Sequence, residues 1–236
     1  MRVSEHTNRV RRIDPGAASA LLCVALLLLL HTAGCSAIRA PAPWLAPPLP
    51  PASRGGVTGE IVIPEPAAAM SEPVVVYLEP LDVESEASPA DHTSTVRQLR
   101  GALHPSFLAV ARGDAVRFLN EDDVYQQLFS ASKPNDFDTG LLRRGESSVV
   151  RMQQPGVVRL YSTLDETASG VIYVSPSRYF AVVYPPGRFE IQDVPAGLYQ
   201  LHTWLESGAS MSRELCVTPG ASKSLEIRVE ATGNIP

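Results

Sequence analysis

From Val57 onward the chain repeats one pattern: short runs rich in Val and Ile, cut by Gly, Pro or Asp about every 8–12 residues. "VTGEIVI" (Val57 to Ile63) and "PVVVYLEP" (Pro73 to Pro80) begin the series. Phe107 to Ala111 and Ala115 to Leu119 follow, joined by a Gly113-Asp114 turn. "SSVVRM" and "GVVRLYS" meet at Gln154-Pro155-Gly156, and Ser169 to Ser175 adds another run. "YFAVVYPPGRFEIQDVPAGLYQLHTWLE" and "KSLEIRVEA" close the series. Beyond the N-terminal segment no long stretch keeps a 3.6-residue period. The pattern therefore predicts an all-β chain built of sandwiches or barrels. The segment "LDVESEASPADHTSTVRQ" has no strand pattern. We expect a polar surface loop over 81–100, with a short helix near Thr93 to Arg100.

The net charge of -5 opposes nucleic acid, whose phosphates require a basic face. Arg2, Arg9, Arg11 and Arg12 precede an apolar core from Ala18 to Leu30. That core is about 13 residues, short of the ~20 that a spanning helix needs, and reads as a signal-peptide core. The pair Arg11-Arg12 lacks the surroundings of a twin-arginine signal. "TAGC" (Thr32 to Cys35) resembles a bacterial lipobox, with Thr32 where that motif prefers Leu. The resemblance implies a signal peptide over 1–34, lipidation at Cys35, and attachment to the membrane through the lipid. Ser36 then implies sorting to the periplasmic face of the outer membrane. The Pro-dense "APAPWLAPPLPPASRGG" (Ala40 to Gly56) makes 35–56 an extended tether. Cys23 lies in the signal core, so Cys216 is the only remaining thiol. It cannot form an internal disulfide, and we expect it to be a small buried hydrophobe.

Between about Phe107 and Ser175, "GDAVRFLNEDD", "QLFSASKPNDFDTGLLRRGES" and "PGVVRLYSTLDETASGVIYV" resemble a cupredoxin. The likeness is to the plastocyanin-like subgroup found beside methylamine-utilisation-type proteins. It implies a Greek-key β-sandwich over 101–177. The family's copper ligands fall on Gln126 (His), Ser162 (Cys), Asp165 (His) and Ala168 (Met). Blue copper needs a thiolate and two imidazoles with a weak axial thioether. An amide, a hydroxyl, one carboxylate and a methyl do not supply them, so no copper, other metal or cofactor is expected. Glu121, Asp122, Asp123, Asp165 and Glu166, with Asp136 and Asp138 nearby, could offer oxygens to a hard cation. A solvated acidic rim explains them without one. His92, His104 and His202 are the mature part's other possible ligands, and His104 and His202 read as structural.

"GVTGEIVIP…EPVVVYLEP" and "PPGRFEIQDVPAGLYQLHTWLE" resemble the opening and closing of a carboxypeptidase-regulatory or transthyretin-like β-sandwich. This implies a small discontinuous sandwich from 57–80 with 178–236. Its core anchors would be Phe189, Ile191, Val194, Tyr199, Leu201 and Trp204, with Gly187 and Gly197 at positive φ in its turns. The first two strands could instead join the cupredoxin-like sheet. No Gly-x-Ser-x-Gly, phosphate-binding Gly loop or His-Glu-x-x-His is present, so no catalytic residue is nominated. The expectation is a non-catalytic, lipid-anchored envelope module that binds an envelope protein or a surface carbohydrate, the latter through Tyr125, Tyr179 or Tyr184, or plays a structural role. The alternative is a periplasmic copper-binding or electron-transfer protein with an atypical site.

Overall fold

A computed structural model describes residues 53–62, 72–81, 92–207 and 210–228. The signal peptide, Cys35, most of the tether and residues 82–91 of the polar segment lie outside the described residues. The described residues contain strands and no α-helix.

Among the described residues, sixteen strands form four sheets that close on two separate cores. Nine of them come from the middle of the chain: β3 (Thr93–Leu99), β4 (Ala102–His104), β5 (Phe107–Ala111), β6 (Ala115–Asn120), β7 (Leu128–Ser130), β8 (Phe137–Asp138), β9 (Ser147–Arg151), β10 (Gly156–Ser162) and β11 (Ser169–Ser175). They make a sheet of order β4-β3-β6-β9 and another of order β5-β11-β10-β7-β8. Two ladders are parallel, β3 with β6 and β5 with β11. Between the sheets lie Val96, Val116, Phe118 and Met152 on one side and Val110, Leu128, Val158, Leu160, Ile172 and Val174 on the other. Each such fully buried side chain contributes about 1.5–3 kcal/mol relative to an exposed one. We term this the central sandwich.

The flanking sandwich takes its strands from both ends of the described chain: β1 (Arg54–Val62), β2 (Val74–Pro80), β12 (Phe180–Val183), β13 (Gly187–Pro195), β14 (Gly197–Trp204), β15 (Ser212–Val217) and β16 (Ser222–Arg228). Their sheets run β13-β1-β16 and β12-β2-β14-β15. β1 and β2, which the sequence left between two placements, thus hydrogen-bond to C-terminal strands. Alternation sends Val74, Val76 and Leu78 of β2 and Tyr199 and Leu201 of β14 inward, against Phe189, Ile191, Leu225 and Ile227.

Four local expectations are corrected. Thr93 to Leu99 is a strand, not a helix or part of a polar loop: Val96 and Gln98 are buried, while Thr93, Thr95 and Arg97 face solvent. Cys216 is exposed, because on edge strand β15 the inward positions belong to Leu215 and Val217. Trp204 shares the parity of His202, not of Leu201, and so leaves the flanking core for the opposite face of β14. There it stacks on Tyr173 of β11 at 4.4 Å and on Phe107 of β5 at 6.0 Å. Tyr77 continues the stack, 6.1 Å from Tyr173 and 5.1 Å from His202, tying the two sandwiches together. Burial, then the hydrogen bond with Tyr77, push the Tyr173 hydroxyl well above the ordinary phenol range. Finally, Gly187 is not in the left-handed region. Space is its constraint, since a Cβ there would sit 2.7 Å from the Tyr184 carbonyl oxygen.

Candidate functional site

The four positions aligned with copper ligands gather at one end of the central sandwich. β10 ends at Ser162, opposite Leu128 of β7, and the pairing extends through a 3.1 Å bond from Thr163 N to Gln127 O. Gln126 follows next along that edge. It is locked to Leu142 by two backbone bonds of 3.0 and 2.8 Å. Asn120, at the end of β6 and 1% exposed, clamps the same loops. Its amide donates to the carbonyls of Val124 at 2.8 Å and Leu142 at 2.9 Å, and its Oδ1 accepts from Asp122 N at 2.8 Å.

A polar chain runs inward from this clamp. Asp122 accepts from the backbone N–H groups of Arg100 and Gly101, and Gln126 Nε2 donates to Asp122 Oδ2 at 3.2 Å. Gln98 Nε2 of β3 donates to Gln126 Oε1 at 2.8 Å. The carboxylate can only accept, so it orients both amides in series. The chain ends at Gln98 Oε1, which is buried and has no hydrogen-bond partner.

The other three positions close a turn. Ser162 Oγ accepts from Leu164 N and Asp165 N, each at 3.2 Å. Ser162 N donates to the Ala168 carbonyl at 3.2 Å, and Ala168 N to the Asp165 carbonyl at 3.1 Å. Asp165 Oδ1 accepts from Thr167 Oγ1 at 2.6 Å and Thr167 N at 3.0 Å. Those bonds hold its carboxyl below the ordinary range. Its Oδ2 lies against Gly101, where a Cβ would approach within 2.5 Å. Gly101 also has φ 71°, the left-handed region that favours Gly.

This donor set does not fit copper. The Gln126 oxygen and the Ser162 hydroxyl oxygen already accept protein hydrogen bonds, Ala168 has no donor atom, and no soft ligand is present among them. Nor do the carboxylates converge. Glu121 pairs with Arg97 at 3.8 Å, Asp123 with Arg144, and Asp136 with Lys133 at 3.9 Å. Asp138 accepts from Gln127 Nε2 at 2.8 Å and from Gly140 N at 2.8 Å, which hold its carboxyl low. Among the described residues no three His, Cys, Asp or Glu side chains are placed to share an ion. His92 and His104 are exposed, and His202 pairs with Glu79 at 3.2 Å.

The surface at this end is apolar at its tips. Val124, Tyr125, Leu141 and Leu164 are each more than half exposed. Arg143 lies 5.9 Å above the Tyr125 ring and donates to its hydroxyl at 3.1 Å. Of the other tyrosines singled out, Tyr179 packs edge-on against Tyr199 at 6.4 Å, and Tyr184 is exposed. Sequence reasoning nominated Gln126 but neither its partner Gln98 nor the loop clamp Asn120. The alternation in "TSTVRQL" was the available signal for the first.

No protein-family model matches the chain, and no curated protein matches it. Among the solved structures that resemble part of it are cupredoxins and a copper-containing nitrite reductase. The purple cupredoxin of Nitrosopumilus maritimus is 19% identical over 35% of this chain and 99% of its own, at a TM-score of 0.32. A copper-containing nitrite reductase from Thermus scotoductus is 24% identical over 41% of this chain, at a TM-score of 0.34; the match spans 25% of that enzyme. A mutant of amicyanin in its oxidised state is 14% identical over 45% of this chain and 95% of its own, at a TM-score of 0.34. The chain is all-β, and its likeness to these proteins is a partial likeness to cupredoxin β-sandwiches.

Proposed function

We propose that this chain is a non-catalytic, lipid-anchored module of the cell envelope, and that the loop end of the central sandwich is its contact surface for a partner protein. One observation carries the reading. Where a copper protein would expose ligands, polar groups here are tied to one another, and the loops they fix hold Val124, Tyr125, Leu141 and Leu164 out to solvent. A preorganised apolar tip suits binding, because little ordering remains to be done on association. Charged groups of both signs ring it, Arg143 and Arg144 beside Asp122 and Asp123, and favour a partner of complementary charge pattern. Lipidation at Cys35, the tether and the outer-membrane address rest on the sequence motifs alone.

Two experiments test this. Titration of the full chain with Cu²⁺ and Cu⁺ is expected to give neither an intense visible charge-transfer band nor stoichiometric binding. Either would replace the reading with a copper protein of atypical site. In cells, a photo-crosslinker at Val124, Leu141 or Leu164 is expected to trap one common, salt-sensitive protein partner that a probe at Val149 does not reach. Trapping of lipid only, or equal trapping at Val149, would overturn the loop-end assignment. A Cys35→Ala chain is expected to lose membrane attachment.

A further inference from the structure

The outer face of the β13-β1-β16 sheet carries an open groove of about 710 Å³. Its lining follows from register. Glu60 on central strand β1 lies between Arg188 of β13 and Glu226 of β16; Thr58 lies between Glu190 and Ser224. The alternate positions, Val57, Ile61, Phe189, Ile191, Leu225 and Ile227, fill the core, so these six side chains face outward. Glu226 is engaged by Arg228 at 2.9 Å. Beyond the backbone ladder, the side chains of Glu60, Arg188 and Glu190 make no hydrogen bond or ion pair among the described residues. Glu60 and Arg188 are directly opposed on neighbouring strands, the arrangement in which opposite charges ordinarily pair. Here they stand apart, leaving unpaired acceptors and an unpaired donor around two hydroxyls in a space of ligand size.

That combination narrows the ligand. No exposed aromatic ring lines the groove, since Phe189 is buried beneath it, so a large apolar ligand has no platform. With Glu226 already paired to Arg228, Glu60 and Glu190 against Arg188 leave the groove net negative, which disfavours polyanions. A simple cation leaves Arg188 without a role. A polyhydroxyl ligand uses every group, because each hydroxyl both donates and accepts. Its vicinal hydroxyls can donate to both oxygens of Glu60 or Glu190. Other hydroxyl oxygens can accept from Arg188, with Thr58 and Ser224 serving either way. We propose that this groove binds a neutral oligosaccharide, at a site separate from the loop end and independent of the reading given above.

The test titrates the full chain, by calorimetry and ligand-observed NMR, with maltotriose, cellotriose and chitotriose as neutral probes. Trigalacturonate serves as the anionic probe and Gly-Lys-Gly as the cationic one. At least one neutral trisaccharide is expected to bind saturably with a Kd on the order of 1 mM. Arg188→Ala and the Glu60→Gln/Glu190→Gln double variant are each expected to weaken it roughly tenfold or more, with near-UV circular dichroism unchanged, while Val149→Ser leaves it intact. Failure of all three neutral sugars to bind would overturn the proposal. So would affinity unchanged in both groove variants, or stronger binding of trigalacturonate or Gly-Lys-Gly. None of these outcomes bears on crosslinking at the loop end.

Discussion

The two sandwiches solve the same packing problem with different interiors. Of the buried polar side chains among the described residues, Gln98, Asp114, Asn120, Gln126, Ser130, Asn135, Ser162 and Ser175 lie in the central sandwich, and only Thr203 lies in the flanking one. The core of the flanking sandwich is almost wholly apolar. The central sandwich carries long connections around β7 and β8, and buried amides and hydroxyls hold them down. The difference teaches where geometry is being specified. Apolar burial stabilises without direction, whereas a buried amide with assigned partners fixes a loop in one shape.

The largest expected effects compare the two cores. Phe118→Ala, which also removes a 4.9 Å stack on Phe137, is expected to cost about 3–5 kcal/mol; Leu201→Ala, in the flanking core, about 2–5. Because Trp204 and Tyr173 couple the sandwiches, both variants are expected to shift one shared denaturant transition. Two transitions, each moved by one variant, would show that the stack does not bind them into one unit. Asn120→Ala comes next at about 2–3 kcal/mol, since it removes the hydrogen bonds to the Val124 carbonyl and to Asp122 N and one of the two that the Leu142 carbonyl accepts. Its flanking counterpart, Thr203→Val, loses one bond accepted from Met211 N at 3.0 Å and is expected to cost about 1 kcal/mol. Equal losses would erase the contrast. Gln126→Leu should cost about 1–3 kcal/mol by orphaning the Gln98 amide, and adding Gln98→Leu should recover part of it, as a double-mutant cycle in denaturant would measure.

The smallest effect is electrostatic. Asp165 is expected to titrate below its ordinary 3.8, and Thr167→Ala to move it back up, read by carboxyl NMR. Its folded pKa is the depressed one. The stability it contributes is therefore present above the ordinary carboxyl pKa and is lost as pH falls through the lowered value.

Fold class was legible because inward Val, Ile and Leu alternate with polar residues along most strands. β3 was missed because one of its inward residues is Gln98, which masks the alternation. β7 and β8 are three and two residues long, too short to show a period. In β15 the run Leu215-Cys216-Val217 is apolar throughout, so composition hid which residue points outward. Trp204 went astray for the opposite reason: aromatic character suggested the core while parity placed it on the other face. At the loop end, the resemblance to cupredoxins pointed to Gln126, Ser162, Asp165 and Ala168. Their hydrogen-bond partners depend on ladders between distant segments. Gln98 reaches Gln126 from 28 positions away only because β3 runs parallel to β6.

One feature of the topology bears on mechanics. β1 and β16 run parallel and hydrogen-bonded side by side from Gly56 opposite Ser222 to Val62 opposite Arg228. Tension between the chain before β1 and the chain after β16 therefore slides these strands past each other lengthwise, loading the evenly spaced bonds of a parallel ladder together. The central sandwich leaves from β2 and returns into β12, which are themselves paired, and so hangs outside that line of force. A pull along the chain strains the flanking sandwich and leaves the loops around Gln126 in their resting shape.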